Sequence, residues 1–154
     1  MKLSPEQRDL NQRLSPSKFS AEGFLGTDDR PVNEIIADDL RTMDRAGLPT
    51  EVLVERLRDV YEKARERFGA EIEVRKGVSA VYHEAKGRIP SPFRGEGTFE
   101  KGQVTVTDRE SAESIHVTML GIHLIEKHGF FQGIGSPFRI DPEKAIRILG
   151  LSEV

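Results

Sequence analysis

The chain has 154 residues, 36% of them apolar and 32% charged, with no cysteine and a formal net charge of −3. A domain of this length buries about 70% of the surface its unfolded chain exposes, so a core can form without cross-links. The missing cysteines exclude disulfides, zinc–thiolate sites, iron–sulfur clusters and thiol catalysis. Charge is evenly spread: residues 1–69 carry 14 Asp and Glu against 12 Lys and Arg, and the remainder 12 against 11. Neither half is a basic surface for nucleic acid. No apolar run approaches the roughly 20 residues of a membrane helix. The opening Met1-Lys2-Leu3-Ser4-Pro5 has no signal-peptide core. A cytoplasmic protein, without a membrane partner, is the expectation.

Ser4, Pro5 and Glu6 start a helix that runs to about Leu14, with only Leu10 and Leu14 as its apolar face. Residues 15–23 have linker composition. Residues 1–26 therefore read as an arm ahead of a single α+β domain, residues 27–154, with Phe19, Phe24 and Leu25 available to pin it. Thr27-Asp28-Asp29 before Pro31 is a capping signal, and Val32, Ile35, Ile36, Leu40 and Met43 then recur at helical spacing until Gly47. Pro49-Thr50-Glu51 opens a second helix whose stripe is Leu53, Leu57, Val60, Tyr61, Ala64 and Phe68, ending at Gly69. The short connection from Ala46 to Pro49 favours an antiparallel helical hairpin. The second helix interleaves Glu51, Glu55, Asp59, Glu62 and Glu66 with its arginines. Carboxylates in that number repel phosphate, which argues against a DNA-reading helix pair.

After Gly69 the period changes to two. Ile72 and Val74, then Val78, Ala80 and Tyr82, flank Lys76-Gly77 as a β-hairpin. Ala85 to Gly97 reads as a loop, carrying Lys86, Arg88 and Arg94 against one acid, Glu96. Strands resume at Thr98-Phe99, Gln103–Thr107 and Ser114–Thr118. If the last two pair antiparallel, Val104, Val106, Ile115 and Val117 face the core, while Thr105, Thr107, His116 and Thr118 face away. Thr118 and Gly129 bracket a helix, and Asp141, Pro142 and Glu143 open another that turns Ile146 and Leu149 inward. Helical and strand blocks are segregated, so the predicted fold is α+β: an N-terminal helical hairpin packed on an antiparallel sheet of four or five strands, with short C-terminal helices.

Three of the four histidines lie between His116 and His128. On a helix, His128 falls on the arc of Leu120 and Leu124, as an imidazole at the core edge. His123 falls on the opposite arc beside Glu126, as a solvated residue. Five positions apart, the two rings point about 140° from each other, so they do not form the inverted zinc-protease pattern. A metal-assisted hydrolase would instead need His83 and Glu84 to converge with His128, making His83 and His128 the metal candidates.

The glycine loop 129–139 has neither the Gly-Lys-Ser/Thr ending of a phosphate loop nor a third glycine for a dinucleotide fingerprint. Ser91-Pro92-Phe93-Arg94 and Ser136-Pro137-Phe138-Arg139 repeat one tetrapeptide in two loops. If those loops are neighbours, Arg94 and Arg139 form a clamp for a carboxylate or phosphate. Arg94, Ser136, Arg139 and His128 are the candidate binding residues. The functional expectation is a binding or regulatory module that uses loops 86–97 and 129–139 on a small anion or protein partner, a homodimer included, with no cofactor indicated. The metal-assisted hydrolase is the alternative. A third reading is RNA contact by Lys86, Arg88, Phe93 and Arg94, where cation and stacking surface coincide.

Overall fold

A computed structural model describes residues 4–14 and 23–151. Helix α1 (Pro5–Leu14) opens with a reciprocal cap: the Gln7 amide N–H donates to the Ser4 hydroxyl and the Ser4 N–H to the Gln7 side chain. Leu14 at its end is fully buried, and the Phe24 N–H donates to the Leu14 carbonyl. With Leu25, Leu120, Leu124 and Phe130 they form a hydrophobic cluster beside the main core. Phe19 lies outside the described residues.

Helices α2 (Val32–Arg45) and α3 (Thr50–Glu66) each start after a proline, Pro31 and Pro49, with no side-chain cap bond. The expected cap from Thr27-Asp28-Asp29 is used differently. The Asp28 carboxylate accepts from the Arg30 guanidinium at 2.8 and 2.6 Å and from the Ile134 N–H at 3.1 Å, joining the start of α2 to the glycine loop. The Arg30 bond, outweighing burial and helped by the Ile134 N–H, lowers the Asp28 pKa to about 2.

The α3 stripe is buried as predicted from Leu53 through Ala64, but it stops there. Phe68 is 83% exposed. The helix ends at Glu66, and a left-handed backbone at Phe68, φ 45°, throws the ring off the stripe. Such a conformation at a residue with a bulky side chain costs on the order of 1–3 kcal/mol.

Strands β1 (Ile72–Arg75), β2 (Val78–His83), β5 (Gln103–Asp108) and β6 (Ser114–Thr118) make an antiparallel four-stranded sheet in the order β1-β2-β5-β6. Register gives Val104 opposite Val117 and Val106 opposite Ile115 on the core face, as the alternation predicts. On the other face Thr105 meets His116 (3.3 Å) and Thr107 meets Ser114 (2.9 Å). Within residues 85–97, expected as loop, lies β3 (Arg88–Pro90), which pairs with β4 (Thr98–Glu100) as a separate two-stranded hairpin. Proline is tolerated in β3 because neither strand needs a second neighbour.

Helix α4 (Met119–His128) is capped by the Thr118 hydroxyl, which accepts from the Gly121 N–H, and ends at left-handed Gly129. Helix α5 (Pro142–Leu149) is capped by Asp141 and ends at Gly150. Ile122 and Ile125 of α4 and Ile146 and Ile148 of α5 join the α3 stripe over the sheet. The architecture is thus α+β, with N-terminal helices and the predicted antiparallel sheet; α3 packs on α4 and the sheet, and α2 packs on α5. Among the described residues no helix is long and apolar enough to cross a membrane.

Candidate functional site

The tip of the β3–β4 hairpin is shaped by local bonds. The Ser91 N–H donates to the Gly97 carbonyl, and the Phe93 N–H donates to the Ser91 hydroxyl. Left-handed Gly95 and Gly97, both at φ 83°, bring the chain back. The result aims the Phe93 ring and the Glu96 carboxylate at α4.

There the carboxylate lies between two imidazoles. His123 Nε2 is 2.8 Å from Glu96 Oε1 and His128 Nε2 is 2.8 Å from Oε2, while the Ser91 hydroxyl donates to Oε1 at 2.9 Å. The Phe93 ring stacks on His128 with centroids 3.6 Å apart and planes 14° apart. Phe99 leans on His123 at 4.7 Å. The His123 side chain is 15% exposed, so the expectation of a solvated residue beside Glu126 is corrected; Glu126 pairs with Arg58 of α3 instead. His128 does sit at the core edge, but its partner is this carboxylate. The five-residue spacing keeps the rings from meeting at one point, their centroids being 6.4 Å apart. A carboxylate has two acceptor ends, and supplied from outside the helix it spans that gap.

Burial alone would push the Glu96 carboxyl up; the bonds from His123, His128 and Ser91 outweigh it and hold it below the ordinary carboxylate value. An ionised carboxylate only accepts, so both imidazoles present a proton on Nε2, whether neutral or charged. The arrangement is therefore a pair of N–H donors converging on an anion, with aromatic rings on both sides and partial access to solvent. The anion so held is the chain's own Glu96.

The other predicted site residues are placed differently. Arg139 makes a two-pronged ion pair with Asp39 at 2.8 and 2.9 Å and also donates to the Gln132 carbonyl at 2.7 Å. Its guanidinium is thereby occupied inside the protein. The buried Ser136 hydroxyl lies within bonding reach of Gln132 Oε1 and the Gly23 carbonyl. Arg94 is 79% exposed, with Asp9 at 3.6 Å. Of these candidates only His128 belongs to the cluster, although Arg94 shares the hairpin tip with Glu96. His83 ends β2 opposite Gln103, and its electrostatic neighbour is His116. Burial, then the charges of His83 and Lys144, push the His116 imidazole down. Among the described residues no three His, Asp or Glu side chains are arranged to hold a metal ion. Lys86 and Arg88 are exposed, but the Phe93 ring is already stacked on His128.

Sequence reasoning passed over Glu96, His123 and Ser91 as partners. The available signal was Glu96 itself, the single acid among the cations of residues 85–97. An open groove of about 680 Å³ runs along α3, lined by Glu51, Glu55, Arg58, Glu62 and Glu126 among others, and shares no residue with the cluster.

Fold and site together define a small α+β domain in which a β-hairpin is clasped to a helix through one carboxylate and two imidazoles. No model of a known protein family, no curated protein and no solved structure matches the chain.

Proposed function

We propose that the protein is a binding or regulatory module whose ligand carries a carboxylate, taken up by His123 and His128 when the β3–β4 hairpin lifts. The observation behind this reading is the convergence of two imidazole N–H groups on the Glu96 carboxylate. Glu96 acts as the resident anion of the site. Tethered on the hairpin, it competes at an effective concentration on the order of millimolar. A free carboxylate displaces it only by bringing contacts of its own, and exposed Arg94 at the tip is placed to make one. The hairpin pairs only with itself and not with the four-stranded sheet, so lifting its tip breaks the clasp and the half-buried contacts of Phe93 and Phe99 while Glu100 at its open end stays tied to Tyr82 and Arg65.

The test is chemical rescue. In Glu96→Ala the donors lose their anion, and the thermal midpoint falls. Formate or acetate then raises the midpoint of this variant while leaving the wild type unmoved, and chloride at equal ionic strength does not substitute. Adding His123→Ala abolishes the response. A carboxylate that moves both proteins equally, or neither, overturns the reading.

A further inference from the structure

A second surface lies at the end of the domain where α3 and β2 stop. Its centre is Phe68, 83% exposed on a left-handed backbone. Nothing in the fold uses this ring, and a glycine or asparagine would occupy the position with less strain. Strain that packing does not explain clusters at functional sites.

The neighbours are cations. A Cβ built on Gly69 would sit 3.9 Å from the Tyr82 carbonyl, which places Phe68 beside the end of β2, where His83 is exposed. The β4–β5 turn is fixed at the same end: Tyr82 donates to Glu100, Arg65 pairs with Glu100, and the Tyr61 hydroxyl donates to the Gly102 carbonyl. The Lys101 side chain in that turn lies along Gly87, next to Lys86. Arg67, Lys86, Arg88 and Lys101 are all exposed and none forms an ion pair among the described residues, although the Arg88 guanidinium also donates to the Thr98 hydroxyl at 2.8 Å and to the Thr98 carbonyl at 2.7 Å. Glu66, Glu71 and Glu84 are the nearby exposed acids, Glu71 pairing with Arg109, while Glu100 is engaged by Tyr82 and Arg65.

We infer that this corner binds single-stranded nucleic acid, with Phe68 and His83 offering rings to unstacked bases and Arg67, Lys86, Arg88 and Lys101 meeting phosphates. Bases accept stacking on an aromatic face whatever their sequence, and cations beside that face follow the backbone. The chain as a whole carries a net charge of −3, so these cations stand against an acidic background. The surface uses none of Glu96, His123 or His128, and only Arg88 of its residues lies on the β3–β4 hairpin.

The experiment is fluorescence anisotropy of a labelled oligouridine titrated with the full chain. Binding is expected at low salt, with log affinity falling against log salt at a slope of about −3 for four phosphate contacts on a single strand. Phe68→Asn removes the ring yet suits the left-handed backbone, so its thermal midpoint stays level or rises while affinity falls roughly tenfold. Lys86→Ala with Lys101→Ala lowers affinity and flattens the salt slope by about 1.4. No oligouridine binding by the wild type overturns the proposal, as does unchanged affinity in Phe68→Asn. A duplex or inorganic polyphosphate bound as tightly as oligouridine also overturns it, and so does binding of an acidic peptide in place of the oligonucleotide.

Discussion

The two copies of Ser-Pro-Phe-Arg have opposite fates. In residues 136–139 the serine is buried and the arginine is sealed in an ion pair with Asp39, the two side chains only 14% and 8% exposed. In residues 91–94 the serine shapes a turn and bonds Glu96, the phenylalanine stacks on His128, and the arginine is in solvent. The tetrapeptide does not decide this; its surroundings do. Residues 133–136 press against residues 25–28, so closely that a Cβ on Gly26 would overlap the backbone of Gly135 and Ser136. That loop is locked by backbone contact and a buried charge pair. The hairpin copy is held by a titratable clasp on a partly exposed surface. Identical side chains therefore lie buried in one loop and form a partly exposed clasp in the other.

The sharpest way to break the contrast is Arg139→Ala. It leaves Asp39 buried without its partner, and losing one member of a buried pair costs about 3–5 kcal/mol. Chemical denaturation should show a loss of that order, largely recovered when Asp39→Asn is added. A loss under about 1 kcal/mol would mean the second loop is no more rigidly held than the first.

Glu96→Gln should be intermediate, removing about 1–2 kcal/mol because charged hydrogen bonds are replaced by neutral ones at a partly exposed site. Amide exchange should quicken in residues 88–100 and stay unchanged in β5 and β6. Acid titration sharpens the same point. The folded Glu96 carboxyl sits below its unfolded value of 4.5, so its contribution is complete above that pH and lost as pH falls through the lower folded value. Asp28 behaves likewise, full above 3.8 and lost as pH approaches about 2. Glu96→Gln should flatten the upper part of the acid limb and Asp28→Asn the lower part. His116 has the opposite charge type: its folded pKa lies below 6.5, so the unfolded chain takes up the proton first and native stability falls as pH drops below that value. His116→Gln should remove this step, and a stability curve that keeps it would place its origin in another group.

What was legible in the sequence was local. Strand alternation gave the faces of β5 and β6, and Thr118, Gly129, Asp141 and Gly150 marked the ends of α4 and α5, because caps and parity depend on residues a few positions apart. The clasp was not legible, because Glu96 comes from 27 residues before His123 and 32 before His128. A helical projection shows how two side chains diverge from a helix and says nothing of an acceptor brought from outside. Phe68 misled for a related reason. It continues the apolar spacing of α3, but the helix ends before it, and periodicity has no meaning once the backbone turns left-handed.

Arg94→Ala is the smallest expected effect. The Arg94 side chain is 79% exposed and its carboxylate neighbour, Asp9, is 49% exposed at 3.6 Å, so the pair is screened on both sides. Exposed pairs of this kind contribute about 0–1 kcal/mol, and here the change should lie within about 0.5 kcal/mol. Stability thus separates Arg94 from Arg139 by several kilocalories in the same tetrapeptide. The carboxylate response separates them in the other direction: with Glu96→Ala as background, Arg94→Ala should weaken the midpoint shift produced by a dicarboxylate, whose second acid reaches the tip, and leave that of formate unchanged. Equal loss for both ligands would assign Arg94 to the general field of the hairpin, with no contact of its own to the ligand.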